Sequence, residues 1–551
     1  MRVDSVFRGG SIYTLDPRHP YATQLAVVKG RVVALDDDVD DLVADEVVDL
    51  RGFTVVPGFH DAHLHTIHYG LSLNQLDLRS SRICTLAQLY QAVAERARVT
   101  PEGQWIVGAG YDQNKLGGHP HRRALDDAAP AHPVWLQHTS RHMGVVNSSV
   151  LRQIDPQRIG SAGVVQIDAD GQPTGLVQEQ AQILVRELLH PYPLRELVDA
   201  IDRAHRQFVR EGVTSVQEAG IGGGWVGHSP AELGAYQIAK AEGHLGVRTT
   251  VMVSADVLHP LGPAASESFD CHLDLGITTG LGDNWLRIGP LKVFADGSLI
   301  GRTCAMHEPF EGEPENCGLL QHDEQSLRQT ILAAHRAGWQ IATHAIGDRA
   351  VDLVLDIYNE ALIEFPRRNH RHRIEHAGVA SDAAVDAMAR LGVIPNPQGR
   401  FIGALGDGMA AALGPTRVKG CYRQRSFIEH GLVLPASSDR PVVDGAPLAG
   451  MHDLVNQRTD TGQSFNPQEA LTISQALHAY TVGSAFAAFL EADRGTLGVG
   501  KLADFAVLSE DLLHVAPQRI RDVTVVGTAV AGRVVYDQAQ LAAVEPVAEE
   551  E

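Results

Sequence analysis

Two hydrophobic periods divide this 551-residue chain. At both ends, short runs alternate apolar and polar positions and are broken by Gly and Asp: SVFRGGSIYTL and LAVVKGRVVAL at the front, ADFAVLS and VTVVGTAVAGRVVYD at the back. A period of two between turn residues predicts strands, and the two ends are expected to share one small sheet domain. Between them, short β-branched runs alternate with longer stretches of helical period, the pattern of βα units around a parallel sheet. Eight such runs occur: FTVVPGF (53–59), VTSVQEA (213–219), RTTVMVS (248–254), RIGPLKVFA (287–295), QIATHAIG (340–347), RIEHAG (373–378), GVIPNPQ (392–398) and LVLPASSD (432–439). Eight is the number that a closed (β/α)8 barrel requires. The segments between them support that reading, with Leu327, Ile331 and Ala334 on one helical face and Ser381 as the N-cap of SDAAVDAMARLG.

About 150 residues separate the first two runs, too many for one helix, so residues 66 to about 195 are expected to form an inserted lobe. Insertions of this kind commonly act as lids. The layout predicted is a terminal domain over 1–56 and 486–545, a barrel over 57–485 that contains the lobe, and an acidic, solvated tail at 546–551.

Charge narrows the class of partner. Lys and Arg number 46 against 67 Asp and Glu, a net charge of −21, which argues against a nucleic-acid backbone or an anionic membrane surface. A small-molecule substrate is the expected partner, and the oligomeric state stays open, a homodimer included. Five cysteines lie far apart without a CxxC pair, so neither a disulfide framework nor a thiolate zinc site is expected, in keeping with a reducing cytoplasm. MRVDSVFRGG lacks a charged-then-apolar signal segment, and no apolar stretch approaches the roughly 20 residues of a membrane helix. The expectation is a cytoplasmic protein.

Barrel enzymes carry their chemistry at the C-terminal ends of the strands. The eight runs deliver His63 and His65, Lys292, His344, His376 and Asp439 to those ends. An H-x-H pair on an extended strand places both imidazoles on one face, where they can grip one ion. Taken singly, each residue also has a plain reading: H-x-H pairs arise by chance in a chain with 27 histidines, lone histidines satisfy cores, Lys292 can snorkel to water, and Asp439 can cap a loop. Their coincidence on one rim sets them apart. Just upstream, His60 and Asp61 fit a role in shaping the turn.

PGFHDAHLH, GPLKVFADGSL, THAIGDRAVDLVLD, RIEHAG, SSDRPV and GTLGVGKLADFAVL together resemble the metal-dependent amidohydrolase superfamily, and within it the YtcJ-like group that includes N-substituted formamide deformylase. The match spans essentially the whole chain. The resemblance implies an α/β fold, a distorted (β/α)8 TIM barrel with a small β-sandwich domain formed by both termini. It implies metal ligation by His63, His65, His344 and His376, a catalytic Asp439, and Lys292 as a bridging ligand after carboxylation by CO2. In that arrangement one ion sits on His63, His65 and Asp439 and a second on His344 and His376. Zinc suits such donors, manganese, iron or nickel would also be accepted, and one or two ions per chain are accommodated. The expected activity is hydrolysis of a C–N bond, of the amide or N-substituted formamide type, by metal-activated hydroxide, with Asp439 as general base and acid. The same site also suits ester, lactone or phosphotriester hydrolysis or deamination, and a chain that had lost its metals would be a non-catalytic scaffold.

Glu179, within the lobe, matches a carboxylate position common in the YtcJ-like group and is an alternative to the carbamate. Arg440 follows the catalytic aspartate where smaller residues are frequent, which predicts a more cationic rim. His60 stands where an apolar residue is common. Candidate substrate contacts are Tyr111, Asp112, Gln113 and Asn114 in GAGYDQNK, His138, Arg141 and His142 in QHTSRHM, and Arg302 after the DGS turn. Asp348 is expected either to orient His344 or to cap the helix that follows.

Overall fold

The computed structural model describes residues 1–79, 83–138, 143–155, 158, 165–168, 171–178, 182–224, 226–261, 271–541 and 543–544. They divide into two compact units, Met1–Tyr69 with Leu197–Glu551, and Gly70–Glu196.

The larger unit holds the barrel. Seven parallel strands among the described residues lie in the order Phe59–Leu64, Val213–Ile221, Arg248–Ser254, Leu286–Phe294, Ile341–Ala345, Arg373–His376 and Ile394–Asn396. Every residue of the first three is buried, as expected where both faces of a parallel sheet are covered. The helix Glu324–Arg336 buries Leu327, Ile331 and Ala334. Ser381 caps Asp382–Leu391 by accepting from Ala384 N. The eighth predicted run is not a strand. Residues 432–439 touch the seventh strand's extension through a single parallel bridge, Gln398 to Ser437. On the other side Ala62 N donates to Ala436 O at 3.0 Å, Asp439 N to His63 O at 2.8 Å and His65 N to Arg440 O at 2.9 Å. Pro435 has no N–H to give, and Asp439 adopts φ 56°, so a regular ladder cannot form. The barrel is therefore distorted at its seam.

The smaller unit contains a six-stranded sheet in the order Val165–Ile167, Pro173–Gln178, Met143–Val146, Val134–His138, Ile106–Tyr111, Leu76–Asp77. The helix Leu86–Val99, started by a Thr85/Gln88 capping box, packs Leu89 and Val93 into its core with Ile106, Val134 and Leu136. No described helix in either unit is long and apolar enough to cross a membrane.

The terminal runs form one nine-stranded sheet, in which Thr54–Pro57 pairs with Arg2–Tyr13 on one side and with Phe505–Leu508 on the other. The first predicted barrel run thus splits: 54–57 belongs to the terminal sheet, and the barrel begins at Phe59. Gly58 is the breakpoint. A Cβ there would lie 2.2 Å from Thr214 Oγ1, so only glycine lets the chain pass this close to the second strand as it changes sheets. The junction is fastened by charge. Arg248, at the start of the third strand, donates to both oxygens of Asp504 at 2.6 and 2.9 Å, and both side chains are buried. Breaking a buried pair from one side strands the other charge, so Asp504→Ala should lower the unfolding free energy by about 3–5 kcal/mol. In a urea titration Arg248→Met/Asp504→Leu should recover part of that loss; no recovery would show that the ion pair is not the source of the cost.

Candidate metal centre

His63 is the last residue but one of the first barrel strand and His65 directly follows the strand, their ring centroids 5.7 Å apart. The backbone bond from Asp439 N to His63 O brings the irregular seam alongside. Asp439 Oδ1 then lies 3.4 Å from His63 Nε2 and 3.2 Å from His65 Nε2, and the potential ligand atoms of the three residues all fall within 4.8 Å of one another. Burial alone would push the Asp439 carboxyl up, but its contacts with His63 and His65 outweigh that and hold it well below the usual carboxylate range. Asp61 secures the same seam: its Oδ1 accepts from His63 N and Ser438 N, both at 3.1 Å.

Each imidazole can present a lone pair only if its other nitrogen carries the proton, and that is decided by the acceptor behind the ring. His63 Nδ1 is bonded to Glu375 Oε2, while its Nε2 is buried without a hydrogen-bond partner. Glu375 is ionised in spite of complete burial, because the Arg373 guanidinium and His63 overcome desolvation and hold its carboxyl well below the normal value. Arg373 donates to Glu375 through Nε and an Nη at 2.7 and 2.9 Å, and Asn396 donates to Oε2 at 2.6 Å. His60 belongs to the same chain of contacts, since Gln217 Nε2 donates to its Nε2 at 3.3 Å and Gln217 Oε1 accepts from Arg373.

His376 Nδ1 donates to Gln398 Oε1 at 2.6 Å. The amide orientation is fixed because Gln398 Nε2 donates to Asn396 O and Ser437 Oγ. His344 is arranged the other way, its Nε2 donating to Gly297 O at 3.0 Å, which leaves Nδ1 as the free nitrogen. Burial keeps these rings neutral, pulling His376 down to about 3 and His344 and His65 below their usual value. His63, His376 and His344 follow one another at 5.1 and 4.5 Å between centroids. Neutral imidazoles with one nitrogen tied back, beside a carboxylate, suit a divalent ion; the orphaned His63 Nε2 is the direct sign of it. Lys292 completes the group. It is buried, its Nζ lies 4.8 Å from the Phe294 ring centroid, and burial draws its ammonium down to about 8 against the attraction of Glu375 and Asp439.

Other sequence expectations fare differently. Asp348 does not reach His344: it is the first residue of its helix, with Gly347 at the N-cap, and accepts from His307 N at 2.9 Å. The contacts to His344 come from Gly297 and from Asp296, 3.4 Å away, whose carboxyl accepts three backbone N–H bonds from Ala305, Ile346 and Gly347. Arg440 does not make the rim cationic. It is buried, donates to Glu211 at 2.7 Å and lies 4.6 Å from the Tyr69 ring centroid. Arg302 is bonded to Glu313 and to Glu311 O within its own loop. In the smaller unit Tyr111 OH meets His119 Nδ1 at 3.1 Å, and His138 bonds Gln113; Asp112 sits beside Tyr111. Glu179, Arg141 and His142 lie outside the described residues. Sequence reasoning missed Glu375, Arg373, Gln398, Asp296 and Glu218. The available signal was Arg373 and Glu375 at alternate positions of a short buried strand, where period two sends two opposite charges to the same face.

Residues 46–536 match the Amidohydrolase family. The chain is 29% identical over 549 residues to the putative amidohydrolase YtcJ of Bacillus subtilis (strain 168), covering 97% of this chain and 99% of that protein. It is 27% identical over 550 residues to N-substituted formamide deformylase of Arthrobacter pascens, covering 97% and 98%. Among solved structures it is similar to an uncharacterized metal-dependent hydrolase from Pyrococcus horikoshii OT3, with a TM-score of 0.77, 26% identity, and 93% of this chain and 99% of that one covered.

If Gln398 sets the His376 tautomer, Gln398→Leu should weaken the binding of a divalent ion by about 10- to 100-fold in competition with a chelator. An unchanged affinity would show that the ring needs no such support.

Proposed function

This chain belongs to the amidohydrolase family, and from that premise we propose that it is a zinc-dependent hydrolase of amide or N-substituted formamide bonds. One observation carries the metal part: His63, His65 and Asp439 converge within 4.8 Å, with His63 Nε2 buried and unpartnered while its Nδ1 is taken by Glu375. His344 and His376 would hold a second ion. An ion so held supplies Lewis acidity and lowers the pKa of water from about 15.7 to about 7.

The remaining work falls to side chains. Asp439, ionised and within 3.4 Å of both imidazoles, accepts a proton from the attacking water and returns it to the amine nitrogen as the C–N bond breaks. Lys292, at about 8, has an appreciable neutral fraction near neutral pH; its amine adds to the carbon of CO2 and loses a proton, forming an N–C bond and an anionic carbamate with two oxygen donors. That exchange replaces a buried cation by an anionic oxygen donor beside neutral imidazoles, which bound ions would offset in charge. The likeness to N-substituted formamide deformylase supports small N-formyl and N-acyl amines as the first compounds to try.

Purified protein should release amine from such compounds, lose the activity to a chelator and regain it with zinc. Asp439→Asn should lower kcat by about 100- to 10 000-fold. Ion content near two per chain that falls together in Lys292→Ala supports the carbamate; a single ion retained in that variant removes it. Ester cleavage without amine release from any member of the panel would sink the C–N reading.

A further inference from the structure

Each histidine of the H-x-H pair has a glutamate behind its Nδ1. For His63 it is Glu375, in hydrogen-bond contact. For His65 it is Glu218, on the second barrel strand, whose Oε1 faces His65 Nδ1 at 3.9 Å. The two carboxyls are held differently. Glu375 is charged by Arg373, whereas the donors to Glu218 are neutral and all fall on one oxygen: Oε2 accepts from Thr66 N at 2.7 Å, from Ile67 N at 3.4 Å and from Tyr236 OH at 2.5 Å. Two of these donors are backbone groups of the helix Thr66–Ser72, which starts directly after His65. The third comes from the helix Glu232–Ala241. Glu218 is therefore pinned through Oε2 by the segment that carries His65, and its second oxygen is left toward the imidazole.

His63, His376 and His344 each have one ring nitrogen at hydrogen-bond distance from an oxygen acceptor. Glu218 stands in the corresponding place for His65. We propose that Glu218 is the positioning residue of His65: with an ion in the site, Oε1 takes the His65 Nδ1–H, fixes the tautomer and turns Nε2 to the ion. This rests on the metal reading above. Catalytic sites commonly tighten such contacts once loaded.

Glu218→Gln keeps the shape and an oxygen for Thr66 and Tyr236, but sets an amide N–H against His65 Nδ1, which favours the wrong tautomer. Its affinity for Zn2+, measured against a chelator, should fall by about 10- to 100-fold, and the visible spectrum of Co2+-loaded protein should change. A merely structural role is separated by a double-mutant cycle. In a His65→Ala background, Glu218→Gln should cost no further Zn2+ affinity. The same fold-loss in both backgrounds overturns the proposal, as does an unchanged affinity and Co2+ spectrum in the single variant. Wild-type protein that takes up neither ion overturns the metal reading itself and this inference with it.

Discussion

A buried ion pair, Arg373 with Glu375, sits where four barrel strands meet. Taking two charges out of water costs several kcal/mol per ion, offset only when the remaining donors and acceptors are satisfied. Here they are supplied from around the barrel. Besides Glu375, Arg373 donates to Gln217 on the second strand and to Ala62 O on the first, and Glu375 accepts from Asn396 on the seventh and bonds His63 on the first. One salt bridge thus fixes the relative positions of strands far apart in sequence, and it commits a negative charge to the back of the His63 imidazole before any ligand arrives. A neutral isostere at either position would leave the other charge stranded, so the interior tolerates the pair only as a pair.

The three acceptors behind the imidazoles are not equivalent. His63 is backed by a carboxylate, His376 by a side-chain amide and His344 by a backbone carbonyl. Only His63 in this row has a charged acceptor behind it; those behind His376 and His344 are neutral amide oxygens. The ends of the row are also turned oppositely, through Nε2 at His63 and Nδ1 at His344. Such asymmetry draws chemically unlike donors from one residue type.

The sequence makes seven of the eight barrel runs and the rim residues legible because both depend on local period: buried parallel strands read as apolar runs, and their ends can be located to within a few residues. The seam was not legible in that way. LVLPASSD has the composition of a strand, yet Pro435 and the positive φ of Asp439 leave it held by single bonds. The split of FTVVPGF at Gly58 depends on Thr214, some 150 residues away, which no local pattern contains. Nearness in sequence offers Asp348 either to His344 or to the helix that follows, whereas the carboxyl that reaches His344, Asp296, comes from the loop after the neighbouring strand. Arg440 likewise reads as exposed by residue type, and only the fold reveals Glu211 and Tyr69 around it.

The terminal sheet joins Thr54–Pro57 to Phe505–Leu508, and Gly58 N donates to Asp504 O at the entrance to the first barrel strand. A ribosome making this chain therefore exposes His63 and His65 long before it makes the segment that anchors their strand. At about 5–20 residues per second, the interval is on the order of tens of seconds to a minute and a half. For that time the H-x-H pair lacks the strand that anchors it, and its final geometry waits on residues about 440 positions downstream.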